Sequence, residues 1–450
     1  MPELLNKSYL LERIEFLDIL PIVAQGTRNE LQEHKLILTV NRLVHVGLWA
    51  FFAYCLCFFL QQQQSAVQRS ADFSHLWAAG HMWAEGDYAS LYDKAEQEVV
   101  LDASLRGSVL ETLGDSEKLS TDGTISRWWW TDRQTKVGSL YYPPFMALLY
   151  SPLGALSVSA AAELMTYLNL GLAFLLALTL HHLCERRIWF LACAVAVFTQ
   201  VSFLWNFILG QNGIFSAVLL GLGALCYRRG FGLSAGVVWS ILLFKPSWFG
   251  AIGVCILVLR EWRVLFGLSL GASAAFLLTA FAGGFSVWIN YFTLLPELLK
   301  LSASSGFSST LDDGFAYFWK ASVGIPFGAA LVFYLSYLAL LRKSVVWSPE
   351  VRVLALPGFA LLCNPHVLHY DSVPLIFLGF ACFLAWREAE SVGQRSLLAL
   401  VALLPWISAM TRTWQIDQMS YSLQHGVAVL CVIVLSLSQR TSVLQRVEDK

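Results

Sequence analysis

The sequence predicts an all-α integral membrane protein with about twelve transmembrane helices and a long polar loop after the first of them. Of its 450 residues, 57% are hydrophobic and 14% are charged, whereas about 25% of the residues in soluble proteins are charged. Apolar blocks of the length that membrane helices need recur along the whole chain. These observations indicate a polytopic helical bundle and disfavour a string of soluble domains.

Twelve apolar segments are the predicted membrane spans. The 1–37 segment before them is too long and too acidic for a cleavable leader, so we expect the first span to be retained. A shorter apolar piece, 143–156, is rich in proline and predicts a half-helix or re-entrant element. The predicted spans lie near residues 38–60, 158–183, 188–206, 210–227, 231–245, 247–260, 264–283, 322–341, 350–364, 372–387, 396–412 and 420–438.

Basic residues in the short loops predict the orientation in the membrane. They fall on alternate connections, and the positive-inside rule makes those connections cytoplasmic. The 1–37 segment and the 441–450 tail are then cytoplasmic, and residues 38–440 form the transmembrane domain. The loops 61–141 and 284–321 lie outside the cytoplasm, on the outer face of the cell (inner) membrane. The basic positions are Arg186, Arg187, Arg228, Arg229, Arg260, Arg263, Arg342, Lys343, Arg387, Arg395 and Arg440.

Charge and cysteine usage exclude several function classes. The formal net charge of −1 argues against a nucleic-acid partner. The nine cysteines fall in or beside apolar segments, where we expect small buried hydrophobes rather than a metal or redox site. No glycine-rich nucleotide loop is present at a useful spacing, which disfavours a nucleotide-sugar donor.

Asp72 is the candidate catalytic residue. It follows the first predicted span and opens the loop 61–141. A carboxylate placed there can act as a general base on an acceptor hydroxyl. The nearby Phe73, Trp77 and Trp83 predict a helix in the membrane interface, which would hold Asp72 near the lipid headgroups. The alternative is a solvated loop acid or a helix N-cap.

Lys245 and the pair Gln211–Asn212 are candidate binding residues. Lys245 ends a predicted span, and an intramembrane cation is costly unless it has a function, such as binding a lipid phosphate. The alternative is a side chain that snorkels to the interface. Gln211 breaks an apolar hairpin, has no role in turn formation and can hydrogen-bond a sugar hydroxyl. The presence of Asn212, by contrast, is well explained by a turn at Asn212-Gly213.

The segment from His366 to Asp371 is a further candidate. On a helix, His366 and His369 present two imidazoles on one face and can donate to a phosphate. Further metal ligands are lacking nearby, so a divalent ion is possible here but not favoured. The alternative is that both histidines are polar residues at a helix end. Asp371 would orient a histidine or cap a helix. Tyr142 belongs to an aromatic belt or stacks on a sugar.

Five short motifs occur in order between about residues 70 and 375, and together they resemble the family 87 glycosyltransferases. These are polytopic enzymes of the GT-C superfamily, typified by polyprenol-phosphate-mannose-dependent mannosyltransferases. The motifs are Asp72-Phe73 with Glu85-Gly86-Asp87-Tyr88, Tyr142-Pro143-Pro144-Phe145, Leu209-Gly210-Gln211-Asn212, Lys245-Pro246, and Asn364-Pro365-His366 with Tyr370-Asp371.

The resemblance implies a GT-C-like bundle that takes a hexose, expected to be mannose, from a polyprenyl-phosphate donor. The acceptor would be a lipid or glycan hydroxyl on the extracytoplasmic face, and the transfer would invert the anomeric carbon with Asp72 as base. We expect Lys245, His366 and His369 to bind the donor phosphate, on which negative charge develops. No cofactor is expected, and the membrane lipid is a partner. The expected substrate-binding residues are Tyr142, Gln211, Asn212 and Asp371.

Two other functions fit the same residues. A transporter or flippase for a lipid-linked saccharide would explain a polar cavity and Lys245, but such proteins usually contain internal repeats, and the sequence has none that we detect. A non-catalytic membrane subunit of an envelope glycan pathway would keep the fold without the reaction. Chemical turnover of a polyprenyl-phosphate sugar separates the enzyme from both.

Overall fold

The computed structural model describes residues 42–57, 71–100, 142–304, 338–364, 369–410 and 429–438, except 45, 55, 94, 98, 345–346 and 390. Every regular element in these ranges is an α-helix or a 3-10 helix, so the all-α prediction is confirmed. The chain divides into two compact units, residues 1–56 and 57–450. In the first unit, residues 42–54 are helical wherever they are described.

The second unit contains the remaining helices. In chain order its main elements are α1 (Ala71–Ala84), α2 (Pro144–Gly154), α3 (Val158–Leu183), α4 (Phe190–Phe198), α5 (Val201–Leu209), α6 (Gly213–Arg228), α7 (Gly232–Ser240), the 3-10 helix η1 (Ile241–Phe244), α8 (Pro246–Leu259), α9 (Trp262–Gly283), α10 (Phe285–Ser304), α11 (Pro349–Cys363), the 3-10 helix η2 (His369–Ser372), α12 (Leu375–Glu388), α13 (Val392–Met410) and α14 (Val429–Ser438).

Several helices are apolar enough to indicate membrane association. Within the described ranges, α3 and α9 are long and apolar enough to cross a membrane, and the bent pair α4–α5 would add a third span. The predicted number of twelve spans is therefore not confirmed. The side of α9 that faces away from the protein exposes Phe266, Leu270 and Phe281, and an exposed apolar face of this kind suits contact with lipid.

The span predicted over 188–206 is broken in the structure. Its two halves, α4 and α5, meet at an angle of 63°. At the break, the Thr199 hydroxyl donates to the Val195 carbonyl at 2.8 Å, and the Gln200 amide donates to the Ser372 carbonyl at 3.3 Å. The Thr199 hydroxyl shares the Val195 carbonyl with its own backbone N–H, and such bonds often bend helices. The Gln200 bond ties the break to a distant part of the chain.

The region predicted as the extracytoplasmic loop 284–321 begins as a helix, α10. Its buried aromatic residues Trp288 and Tyr291 pack in one apolar cluster with Met82 of α1 and Ala147 of α2. Burial of these rings favours a helix that folds back onto the protein. The piece predicted over 143–156 is the helix α2, whose 11 residues are too few to span a membrane, which needs about 20.

Helices α1 and α2 pack through a glycine contact. A Cβ atom added to Gly80 would lie 2.4 Å from the Tyr150 carbonyl oxygen, and one added to Gly154 would lie 2.1 Å from the Gly80 carbonyl carbon. Only glycine permits such backbone approach. Side chains of α1 complete the contact, since Trp77 donates its indole N–H to the Leu156 carbonyl at 3.2 Å. This contact fixes the helix that begins beside Asp72.

Candidate active site

A buried ion pair joins two distant parts of the chain. The Lys245 ammonium donates to a carboxylate oxygen of Asp371, 126 residues later. Lys245 stands between η1 and α8, because Pro246 has no N–H to continue the first helix and favours an extended conformation in the residue before it. Its backbone has φ −130° and ψ 85°. Asp371 lies in η2, in the second part of the sequence motif that begins at Asn364.

This pair is enclosed by the protein. The side chains of Lys245 and Asp371 are 5% and 0% exposed, and buried charges are tolerated when they are paired. Lys245 therefore lies inside the bundle, which disfavours the snorkelling alternative. Asp371, expected to orient a histidine or to cap a helix, has Lys245 as a partner.

The turn between α5 and α6 is braced by Asn206. The Asn206 amide donates to the Ser202 carbonyl at 2.8 Å, and its side-chain oxygen accepts the Ile214 N–H at 3.2 Å. The backbone carbonyl of Asn206 also accepts the Gln211 N–H at 2.8 Å. Gly210 completes the turn in the left-handed conformation, with φ 61°. The brace holds Gln211 and Asn212 in one position.

The side chains of Gln211 and Asn212 are buried and incompletely hydrogen-bonded. They are 3% and 1% exposed. Within the described ranges, the Gln211 side-chain oxygen and both polar atoms of the Asn212 amide have no hydrogen-bond partner. A buried polar atom without a partner costs about 1–3 kcal/mol, and native proteins rarely leave such atoms without a partner, water or ligand. These atoms are therefore available to bind a polar ligand.

The turn and the ion pair belong to one region. Helix η2, which carries Asp371, contacts both α5 and α6. The rings of Phe215, in the first turn of α6, and Phe244, directly before Lys245, stack with centroids 5.3 Å apart. The fold thus brings together Gln211, Asn212, Lys245 and Asp371, which are far apart in the sequence.

Two further residues of this region were missed in the sequence. The Gln200 side-chain oxygen and the Ser202 hydroxyl lack hydrogen-bond partners in the part of the chain that the structure describes. They are 1% and 2% exposed. The sequence feature that could have identified them is their polarity inside the apolar segment 188–206.

The other predicted site residues are described only in part. Asp72 is the second residue of α1, where a negative charge is favoured by the helix dipole, and its side chain lies outside the described part. The backbone of His369 begins η2, and His366 lies outside the described residues. Tyr142 is half-buried, and its carbonyl accepts the Tyr92 hydroxyl at 2.9 Å. Helix α1 contacts α3 and α5, so Asp72 starts a helix that borders the buried polar region.

Comparison with known protein families gives a match. The family model of glycosyltransferase family 87 matches residues 140–408, which is more than half of the chain. No curated protein and no solved structure matches. The matched range contains the braced turn, Lys245 and Asp371, and it begins after Asp72.

Proposed function

Because the chain belongs to glycosyltransferase family 87, we propose that it transfers a hexose, most simply mannose, from a polyprenyl-phosphate donor to a hydroxyl of a lipid or glycan acceptor. Family membership establishes that the protein is a glycosyltransferase. We propose, beyond this, the donor, the acceptor, the catalytic residues and the side of the membrane on which transfer occurs.

The observation that carries the proposal is the polar centre buried in an apolar bundle. This centre consists of the Lys245–Asp371 pair and the buried amides of Gln211 and Asn212. A polyprenyl-phosphate sugar has three chemically distinct parts, namely a hydrocarbon chain, an anionic phosphate and a neutral polyol. Apolar helices, a buried cation and unpaired amides are suitable partners for these three parts, in that order.

The proposed reaction is a displacement at the anomeric carbon. The acceptor oxygen attacks this carbon, the bond from the carbon to the phosphate oxygen breaks, and polyprenyl phosphate leaves. Asp72 takes the proton of the acceptor hydroxyl as the new bond forms. Attack from the face opposite the phosphate inverts the configuration. The position of Asp72 at the start of α1, which contacts α3 and α5, supports this role.

Lys245 is proposed to stabilise the leaving phosphate, together with His366 and His369. Negative charge develops on the phosphate as the bond breaks, and a fixed positive charge in a dry site stabilises it strongly. An ammonium carries three N–H donors, so Lys245 can hold Asp371 and a phosphate oxygen at once. Asp371 then acts as the residue that positions the lysine.

The distribution of arginines supports an extracytoplasmic site. Arg228 forms ion pairs with Glu185 and, at 3.6 Å, with Glu350. Arg342 donates to the Leu259 carbonyl at 3.2 Å. Four of the predicted cytoplasmic connections therefore meet at one end of the bundle.

Lys245 lies at the opposite end of a helix from this arginine-rich end. Helix α8 runs from Pro246, next to Lys245, to Leu259, next to Arg260, and its 14 residues correspond to about 21 Å at 1.5 Å per residue. The positive-inside rule assigns the arginine-rich end to the cytoplasm. The polar centre then lies nearer the extracytoplasmic side than the arginine-rich end does.

Transfer of labelled mannose tests the proposal. Membranes containing the full-length protein are supplied with a polyprenyl-phosphate [14C]mannose donor, and label in lipid and glycan products is measured. We expect transfer by the unchanged protein and a loss of at least about 100-fold in Asp72→Asn. The matched control is Glu96→Gln, which makes the same change at an exposed acid of the same loop and leaves transfer unchanged. Full transfer by Asp72→Asn would remove Asp72 from the mechanism, and no transfer by the unchanged protein would reject this donor.

A further inference from the structure

Helix α3 carries two buried polar side chains without hydrogen-bond partners. The Thr166 hydroxyl and both polar atoms of the Asn169 amide have none in the described part of the chain. The two residues are 6% and 1% exposed. Because they are three positions apart on a helix, they lie on the same face. Neither was a candidate in the sequence, and neither has a role in the mechanism above.

Other residues of α3 show that this pair is unusual. The Thr179 hydroxyl, on the same helix, donates to the Leu175 carbonyl at 2.7 Å, as a buried threonine usually does. The face opposite Thr166 exposes Leu164 and Leu168, which suit contact with lipid. The buried face thus holds polar groups whose partners the described protein does not supply.

The register between α3 and α6 shows what lies at the same level. A Cβ atom added to Gly221 of α6 would lie 2.9 Å from the Thr179 Cγ2 atom. Further along both helices, the Arg228 guanidinium donates to the His182 carbonyl at 3.2 Å. The two helices therefore run in the same direction, with Thr179 beside Gly221.

This register places Asn169 level with the braced turn. Asn169 precedes Thr179 by ten residues of α3, and Asn212, directly before α6, precedes Gly221 by nine residues. These steps correspond to about 15 Å and about 14 Å along the helix axes. Helix α3 also contacts α1 and α2. The unpaired groups of α3 and of the turn thus occur at one level of the bundle.

We propose that Thr166 and Asn169 bind hydroxyl groups of a sugar ring, on the same level as Gln211 and Asn212. This inference rests on the proposed function and names the part of the site that recognises the sugar. Hydroxyl and amide side chains offer both donors and acceptors and carry no charge, which matches the hydroxyls of a sugar. A phosphate would require a cation, which Lys245 offers elsewhere in the site.

Three single variants of the full-length protein test the proposal. Thr166→Val and Asn169→Leu remove the polar atoms and keep the approximate volume. The control, Thr179→Val, makes the same change on the same helix at a hydroxyl that is already bonded. Thr166→Val and Asn169→Leu remove no hydrogen bond from the empty protein. We therefore expect neither variant to have a lower thermal unfolding temperature than the unchanged protein. A fall larger than that of Thr179→Val would indicate a structural role and overturn the proposal.

Binding of two lipids to detergent-solubilised protein then measures sugar recognition. The probes are a polyprenyl-phosphate mannose and the same polyprenyl phosphate without mannose. We expect Thr166→Val and Asn169→Leu to weaken binding of the mannosylated lipid about tenfold, the equivalent of 1.4 kcal/mol. Binding of the bare lipid should not change, and Thr179→Val should change neither.

The outcomes separate the possible sources of the sugar. Weaker binding of the mannosylated lipid alone assigns the pair to the donor sugar. Unchanged donor binding with slower transfer at saturating donor assigns the pair to a sugar of the acceptor. Unchanged binding and unchanged transfer in both variants overturn the proposal and leave the two side chains bonded to water. If the unchanged protein binds both lipids equally and transfers no mannose, the proposed function fails, and the sugar subsite fails with it.

Discussion

The contact between α1 and α2 and the region around the α5–α6 turn are both buried, but they are built on opposite rules. In the first, the backbones meet at Gly80 and Gly154, and the indole of Trp77 donates across the contact. In the second, the side chains of Gln211 and Asn212 are equally buried, yet polar atoms remain unpaired within the described ranges.

The difference separates a contact that stabilises the fold from a region that we propose binds the substrate. A close-packed contact loses stability when its shape changes. A buried polar group without a partner destabilises the empty protein, so its replacement by an apolar residue should not lower stability, although it should weaken substrate binding. Stability and activity should therefore respond independently, and the following variants test this, from the largest expected effect on stability to the smallest.

Lys245→Met should have the largest effect. It leaves the buried carboxylate of Asp371 without its cation, which typically costs about 3–5 kcal/mol. In the double variant Lys245→Met/Asp371→Leu, we expect most of the stability to return, because no charge remains to be paired. Mannose transfer should be lost in both. The unfolding temperature and the transfer rate are measured side by side, and restored transfer in the double variant would contradict the role of Lys245.

Gly154→Ala should have the second largest effect. Its new Cβ atom would meet the backbone of Gly80, which cannot rotate away, so the helices must separate at a cost of about 3 kcal/mol. The control is Gly171→Ala on α3, where nothing lies within 4 Å of an added Cβ and where alanine favours the helix. The recovery of monodisperse protein in detergent reports the difference. Equal recovery of the two variants would show that the α1–α2 contact is not structural.

Asn206→Leu and Asn212→Leu make the same change six positions apart, with opposite expectations. The Asn206 amide bonds the Ser202 carbonyl and the Ile214 N–H, so Asn206→Leu removes both bonds and leaves the Ile214 N–H without this acceptor, at a cost of about 2 kcal/mol. Asn212→Leu removes an unpaired amide and should not lower the unfolding temperature, while it should lower transfer. A destabilised Asn212→Leu with normal transfer would make Asn212 a structural residue.

Tyr92→Phe should have the smallest effect. It removes the hydrogen bond from the Tyr92 hydroxyl to the Tyr142 carbonyl, which is worth about 1 kcal/mol. Burial, with the neighbouring Tyr291 phenol as a smaller cause, raises the pKa of the Tyr92 phenol. A raised pKa means that the folded state favours the protonated phenol. The contribution of this phenol to the free energy of unfolding is therefore present below its unfolded pKa of about 10 and is lost as the pH rises above it.

The pH dependence of unfolding checks the last prediction. The unfolding temperature of the unchanged protein should fall more steeply above about pH 10 than that of Tyr92→Phe. Parallel curves would show that the phenol of Tyr92 does not contribute in this way. Transfer near neutral pH should not depend on this hydroxyl.

The sequence predicted the helices well where the apolar pattern had clear ends. The span 158–183 coincides with α3, which Ser157 caps by accepting the Ala160 N–H. The pattern failed at Gln200, because the side-chain bond to Ser372 joins residues 172 positions apart. Apolarity alone also does not show that the predicted loop 284–321 begins as the helix α10, which packs back on α1 and α2.

The candidate site was predicted residue by residue but not as an arrangement. Lys245 was identified because a cation in an apolar run is costly. Asp371 was identified because it belongs to a motif that resembles the family. Their ion pair could not be predicted, since it depends on the packing of η1 against distant elements. Thr166 and Asn169 were missed because the 26-residue helix α3 also contains other polar residues, such as Thr179. The sequence pattern does not show which of them have hydrogen-bond partners.

A structure of the full-length protein with polyprenyl-phosphate mannose bound is the most direct test of the account. We predict that the sugar lies within hydrogen-bond distance of Gln211 or Asn212, with the phosphate against Lys245 while Lys245 still contacts Asp371. A lipid bound elsewhere, with the buried amides of the α5–α6 turn bonded only to water, would contradict the assignment of this region as the site of sugar transfer.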